Sequence, residues 1–142
     1  MTGAVPLLRY TIVHDCGTII NPMVVEGQVH GGTAQGMGSA MLEEVVHDRQ
    51  GQLLTGSLMD YALPRAADFP TLDVVHVEFP STVNELGIKG VGESGVIAPA
   101  AMIAGAVEDA LADYGVEITR VPVTPARVFE ALRATGRWPR SR

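Results

Sequence analysis

The sequence predicts an α+β fold, a single domain in which a small sheet accompanies a long glycine-rich helix and two C-terminal helices. Three observations carry this. Two separate segments, residues 7–13 and 72–79, are rich in β-forming side chains. Asn21-Pro22 is a helix-opening signal at the head of a long stretch without other prolines. Near the C-terminus, apolar residues recur at helical spacing in two further segments.

The first strand is read over Leu7–Val13, on the strength of Tyr10, Thr11, Ile12 and Val13. HDCGTIINP then forms a loop. Asn21 can accept a capping hydrogen bond, and Pro22 suits the first helical position because its missing N–H is not needed there. The helix is expected to run from Pro22 to about Val46, ending as a solvated stretch with Glu43, Glu44 and Asp48. It contains Gly27, Gly31, Gly32, Gly36 and Gly38. Each glycine inside a helix costs about 1 kcal/mol relative to alanine. Five of them imply that another backbone or a ligand comes close.

Gln52–Leu58 reads as a short strand and Asp60–Pro70 as an irregular connection punctuated by proline. Leu72–Phe79 alternates and is the second main strand, and Pro80–Gly95 is mostly loop. Pro99 opens a helix on which Ile103, Val107, Ala110/Leu111 and Tyr114 repeat, with Gly115 as its stop. A short extended piece, Val116–Val121, leads to Thr124-Pro125, which caps a last helix carrying Val128, Phe129 and Leu132. Arg133, Arg137, Arg140 and Arg142 make a basic, solvated terminus.

Composition narrows the function classes. A length of 142 residues with 46% hydrophobic and 18% charged content suits one globular domain with a real core. The net charge of −6 argues against a nucleic-acid partner. No stretch approaches the roughly 20 apolar residues of a membrane span, and no signal peptide is evident. The single cysteine, Cys16, excludes an intrachain disulfide and suits a reducing, cytoplasmic setting.

Gln28 and Gln35 stand seven residues, two helical turns, apart and share one face with Gly31, Gly32 and Ser39. Two amides beside bare backbone suit a flat heterocycle with mixed hydrogen-bonding edges, such as a pterin. Taken alone they better suit a helix crossing at the glycines, with the glutamines at its rim. Lys89-Gly90-Val91-Gly92-Glu93-Ser94-Gly95 contains the GxGxxG spacing of dinucleotide sites. The preceding VNELGIK is not a buried strand, and no βαβ unit follows, so a Rossmann site is not expected. What remains is a tight turn presenting Glu93 before a helix, with N–H groups able to cradle a polar ligand. There Glu93 is either a general base or a carboxylate favoured electrostatically by a helix N-terminus. His14-Asp15-Cys16 offers three ligand types, but neighbours in sequence do not converge on one ion, so no metal site is expected. Asp15 and Asn21 are expected to bond loop backbone.

The order Asp15-x-Gly17-x-x-x-Asn21-Pro22, Gly27-Gln28-x-x-Gly31, Gln35-Gly36, Lys89-x-x-Gly92-Glu93 resembles the molybdenum-binding large subunit of the xanthine dehydrogenase, aldehyde oxidase and carbon monoxide dehydrogenase family. The resemblance extends from about Leu7 to Leu132. HDCGTIINP and ELGIKGVGESG are most similar to the carbon monoxide dehydrogenase-like branch, which uses molybdopterin cytosine dinucleotide. It implies that residues 1–142 are part of a molybdopterin-binding domain, a C-terminal segment of a larger subunit. It implies cofactor contacts from Gln28, Gln35, Gly36, Lys89, Gly90, Val91 and Gly92, with Glu93 as the active-site base. Substrates of the family are an aldehyde, an N-heterocycle or carbon monoxide, and electrons leave through iron–sulfur and flavin subunits. The remainder of the molybdenum subunit is the first implied partner. The chain alone is not expected to hold the cofactor or to turn over. Two alternatives stand beside this: a stand-alone or homodimeric domain that binds no cofactor, and a nucleotide-binding module, which would need a strand ending near Lys89.

Overall fold

The computed structural model describes residues 2–137. Arg140 and Arg142 of the expected basic terminus lie outside the described residues. Strand β1 (Arg9–Asp15), helix α1 (Pro22–Met41), strand β2 (Thr71–Val77), helix α2 (Pro99–Ala110) and helix α3 (Pro125–Ala134) follow in order, with short 3-10 turns at Ala66–Asp68 and Ala112–Tyr114. The α+β class is therefore as the sequence predicts. Among the described residues, no helix is long and apolar enough to cross a membrane.

The contacts fall into two compact units interlaced in sequence. One comprises Leu7–Gly36 and Arg65–Pro99 and carries the sheet. β1 and β2 pair in parallel, from Arg9 opposite Thr71 to Asp15 opposite Val77. In this unit Cys16, Val25, Val29, Thr33 and Pro99 are buried. Asn21 caps α1 as its position suggests, its Oδ1 accepting from the Val24 N–H at 3.3 Å.

The glycines of α1 have two different explanations. A Cβ built on Gly32 would lie 3.1 Å from the Gly95 Cα, and one on Gly36 would lie 2.8 Å from the Pro99 ring. Gly95 returns the constraint, since its Cβ would sit 2.7 Å from the Thr33 nitrogen. The segment from Gly95 to Pro99 thus lies directly on the helix backbone, a seat only glycine permits. Thr33, wholly buried, donates its hydroxyl hydrogen to the Gly95 carbonyl at 3.4 Å. Gly27 and Gly31 face open space instead.

The other unit comprises the described parts of Met1–Pro6, Met37–Pro64 and Ala100–Arg142. Its core is Met37, Ala40, Ile103, Val107, Val116, Val123, Val128 and Leu132. Thr124 caps α3, accepting from the Arg127 N–H at 3.3 Å, with Pro125 at the first turn. Gly115 stops the α2 segment at φ +69°.

Three expectations need correction in this unit. Helix α1 ends at Met41, short of Val46, because the Gly38 carbonyl accepts from both Leu42 and Glu43 and closes the last turn. Glu43 and Glu44 are not a solvated helix end. Glu43 accepts from the Tyr61 hydroxyl at 2.8 Å, and Glu44 accepts from Arg127 at 2.6 Å and Arg120 at 2.9 Å. These partners hold the Glu44 carboxyl below its usual range, Arg127 foremost. Gln52–Leu58 is not a strand. Asp48 captures the N–H groups of Gln50 and Gln52, and only an isolated bridge joins His47 to Leu53.

The glycine assignments are testable by thermal unfolding. Gly31→Ala fills open space on a helix and is expected to stabilise by about 0.5–1 kcal/mol. Gly95→Ala overpacks the helix backbone and is expected to cost about 1–3 kcal/mol. Equal effects of the two substitutions would refute the distinction.

Candidate active site

Every residue that the sequence marks for the site lies in the unit built from Leu7–Gly36 and Arg65–Pro99. The loop bearing the marked lysine and glutamate is anchored at Asp15, the last residue of β1. Asp15 Oδ1 accepts from the Gly17 N–H at 2.8 Å and the Phe79 N–H at 3.1 Å, and Oδ2 pairs with the Lys89 ammonium. The Lys89 hydrogen bond, followed by those of Gly17 and Phe79, pulls the Asp15 carboxyl down to about 2. The same junction is held by backbone, with Lys89 N–H donating to the Cys16 carbonyl at 2.8 Å and Thr18 N–H to Gly87 at 3.1 Å. Asn84 closes its own turn by bonding both N–H and C=O of Ile88.

Beyond Lys89 the chain enters successive turns through Gly92–Val96. Ser94 N–H bonds the Val91 carbonyl at 3.2 Å and Val96 N–H bonds Glu93 at 3.1 Å. No strand ends near Lys89, only an isolated bridge between Ile88 and Gly17, so the nucleotide-binding alternative fails. Glu93 is exposed on this turn. No protein acceptor among the described residues takes the N–H groups of Gly90, Val91, Gly92 or Glu93. Gly90 and Gly92 face open space, and neither has the positive φ that would by itself demand glycine.

Gly95 then seats on Gly32, which lies between Gln28 and Gln35 on α1. This contact brings the Glu93 turn to the helix face carrying the two amides. Both glutamines are exposed. The bare patch expected between them is divided: Gly32 is covered by the Gly95 backbone, whereas Gly31 is open. Gly36 is buried against Val96 and Pro99, so it acts as part of the seat. A cavity of about 240 Å³ opens beside the loop, lined by Thr18, Asn21, Val24, Ile88, Lys89 and Val91 among others.

His14 and His76 are register partners across the sheet. His14 Nε2 and His76 Nδ1 are 2.6 Å apart with the rings edge-to-face. Burial, then the neighbouring His76, pushes the His14 pKa down against an opposing pull from Asp15. Cys16 is buried and unpaired, and no group of three or more metal-ligating side chains exists among the described residues.

The description of the family model that matches residues 1–70 is molybdopterin cofactor-binding domain. The nicotine 6-hydroxylase large subunit of Paenarthrobacter nicotinovorans is 41% identical over 133 residues, covering 94% of this chain and 16% of that protein. The carbon monoxide dehydrogenase large chain of Hydrogenophaga pseudoflava is 41% identical over 132 residues, 93% of this chain and 16% of that one. The crystal structure of quinoline 2-oxidoreductase from Pseudomonas putida 86 superposes with a TM-score of 0.89 at 48% identity, over 93% of this chain and 17% of that chain. This chain belongs to the molybdenum hydroxylase large-subunit family. It spans about one sixth of the length of these molybdenum hydroxylase relatives.

Sequence reading marked Asp15 and Lys89 separately, and nothing in their 74-residue separation announced that they pair. A depressed carboxylate stabilises the fold above its unfolded pKa and loses that contribution as pH falls through the folded value. The Asp15 contribution is therefore full above about 4 and fades toward the folded value of about 2. Acid unfolding of wild type and Asp15→Asn should differ at pH 5–7 and converge as pH approaches about 2. A difference independent of pH would show that the Lys89 pair is not its source.

Proposed function

We propose that this chain supplies the pterin-facing helix and the catalytic base of a molybdenum hydroxylase acting on an aldehyde, an N-heterocycle or carbon monoxide. The observation that carries the reading is a set of glycines the chain does not need for itself. Gly27, Gly31, Gly90 and Gly92 have neither a positive φ nor a neighbour within 4 Å of the missing side chain. Two of them cost helix stability. They flank Gln28 and Glu93, so their bareness is accounted for by a ligand that approaches the backbone closely.

The donor set fits a pterin. Gln28 and Gln35 offer amides with donors and an acceptor, and Gly90 to Gly92 offer unsatisfied backbone N–H groups. Lys89 takes part through the turn it opens, because its ammonium is committed to Asp15. Gly36 acts through the seat it gives Val96 and Pro99. Molybdopterin, in the cytosine dinucleotide form, supplies the two-electron redox chemistry when bound. The share of Glu93 is to accept a proton on a carboxylate oxygen as the substrate carbon is attacked, general-base work that its exposure on a fixed turn permits.

These elements form one side of a pocket, and residues 1–142 are accordingly a portion of a molybdopterin-binding domain. The remaining large-subunit sequence encloses the cofactor, and iron–sulfur and flavin subunits accept the electrons in a cytoplasmic complex. The reading rests for this on the family and on the printed names of relatives, such as a large chain of carbon monoxide dehydrogenase.

Glu93→Gln in the assembled enzyme is expected to lower kcat by about 10²- to 10⁴-fold, the usual worth of a general base. Molybdenum content should be unchanged by elemental analysis. Undiminished turnover would remove Glu93 from the role, and Gln28→Ala with Gln35→Ala should instead lower the molybdenum retained.

A further inference from the structure

His14 and His76 meet across the sheet one step before its end, and the candidate site uses neither. The next residue of β1 is Asp15, whose Oδ1 accepts from Gly17 and Phe79 and whose Oδ2 pairs with Lys89. Whatever joins the two rings therefore also holds the strand ends from which the Lys89–Gly95 loop departs.

Distance decides what lies between the rings. His14 Nε2 and His76 Nδ1 are 2.6 Å apart. Two nitrogens on one tetrahedral zinc ion, each about 2.0–2.1 Å from it, would stand about 3.3 Å apart. The gap thus suits a single hydrogen and not a metal ion. His14 Nδ1 is buried and has no hydrogen-bond partner among the described residues. A hydrogen there would be an orphaned buried donor, so the shared hydrogen belongs to His14 Nε2, which donates it to His76 Nδ1. His76 then keeps its own hydrogen on Nε2.

The pair has no good place for another proton. In the gap, it would set two N–H groups against each other. On His14 Nδ1, it would be a buried donor without an acceptor. The neighbouring charges do not offset this. Asp15 draws a proton toward His14, but burial and His76 outweigh it, and the Asp15 carboxylate is committed to Lys89. Glu78, just past β2, is bonded to the Ile19 N–H at 3.2 Å.

We propose that the His14–His76 pair is a pH-sensitive clasp: neutral, it closes the strand ends and positions Asp15, and an added proton opens it and loosens the Lys89–Gly95 loop. The neutral pair contributes fully above the ordinary histidine value of about 6.5, and its contribution fades as pH falls below that. Asp15, held at about 2, stays ionised across the histidine range of about pH 5 to about pH 8, so opening there belongs to the rings. The inference concerns the position of the loop and is independent of the role proposed for Glu93.

The test is amide exchange in the metal-free 142-residue chain at Gly17, Thr18, Phe79 and Lys89, whose N–H groups bond across the junction. Corrected for the intrinsic pH dependence of exchange, it is expected to quicken at least about tenfold from about pH 8 to about pH 5. Arg127 and Val128, at the start of α3, should hold steady. His14→Gln with His76→Asn puts an amide N–H and a carbonyl oxygen where the two ring nitrogens stand and takes up no proton, so the step should vanish. Nitrogen NMR of the wild type, which needs no variant, should show His14 carrying its hydrogen on Nε2 and bare at Nδ1 near the upper end of the range. Exchange that does not change with pH, a step that survives in the double variant, or a hydrogen on His14 Nδ1 would each overturn the proposal. Equal quickening at Arg127 and Val128 would mark global unfolding and overturn it as well. Every readout uses metal-free protein, so a failed molybdenum reading would leave the result standing.

Discussion

One carboxylate fixes the geometry on which the candidate site depends. Asp15 ends β1, turns the chain at Gly17, receives the Phe79 N–H just past the end of β2, and holds Lys89 four residues before Glu93. Three segments distant in sequence meet at its two oxygens. The carboxylate remains ionised because cationic and N–H donors surround it, and it remains accessible, so its desolvation cost is small. A neutral side chain could keep the two backbone bonds but would leave the loop without its ionic tether.

The second constraint is backbone contact at the opposite end of the same loop. Gly95 on Gly32, and Pro99 on Gly36, set the height at which the turn crosses α1. With Asp15 at one end and this seat at the other, the Lys89–Gly95 segment has little room to shift along the helix. Positioning of this kind matters to proton transfer, which depends on hydrogen-bonding distance before it depends on pKa. The turn therefore owes its place to glycine at positions where glycine is costly for the helix.

Much of the fold was legible, and for local reasons. Asn21-Pro22 and Thr124-Pro125 announced their helices because caps are local chemistry, and Gly115 announced a stop in the same way. The two strands were legible from their side chains, but their parallel pairing was not, since register depends on contacts across some sixty residues. The errors share a cause. Glu43 and Glu44 read as solvent-facing because Tyr61, Arg120 and Arg127, which bind them, are remote in sequence. Gln52–Leu58 read as a strand because Asp48 competing for backbone N–H groups leaves no periodic signal. In the candidate site, the marked residues are visible as types, while the pairing of Asp15 with Lys89 and of Gly32 with Gly95 is tertiary.

The glycines decide how far the unit accounts for itself. Where Gly32, Gly36 and Gly95 are concerned, the chain supplies the neighbour that makes a side chain impossible. At Gly27, Gly31, Gly90 and Gly92 it supplies none. A sequence that served stability alone would place alanine in the open helical positions and gain about 1 kcal/mol at each. The same asymmetry appears in the sheet, where Val13 and Val75 stand exposed. Bare backbone on one element and uncovered apolar strand on another are both costs to an isolated unit. They become gains once a ligand and further polypeptide occupy them, which is the condition expected of a segment spanning one sixth of its relatives.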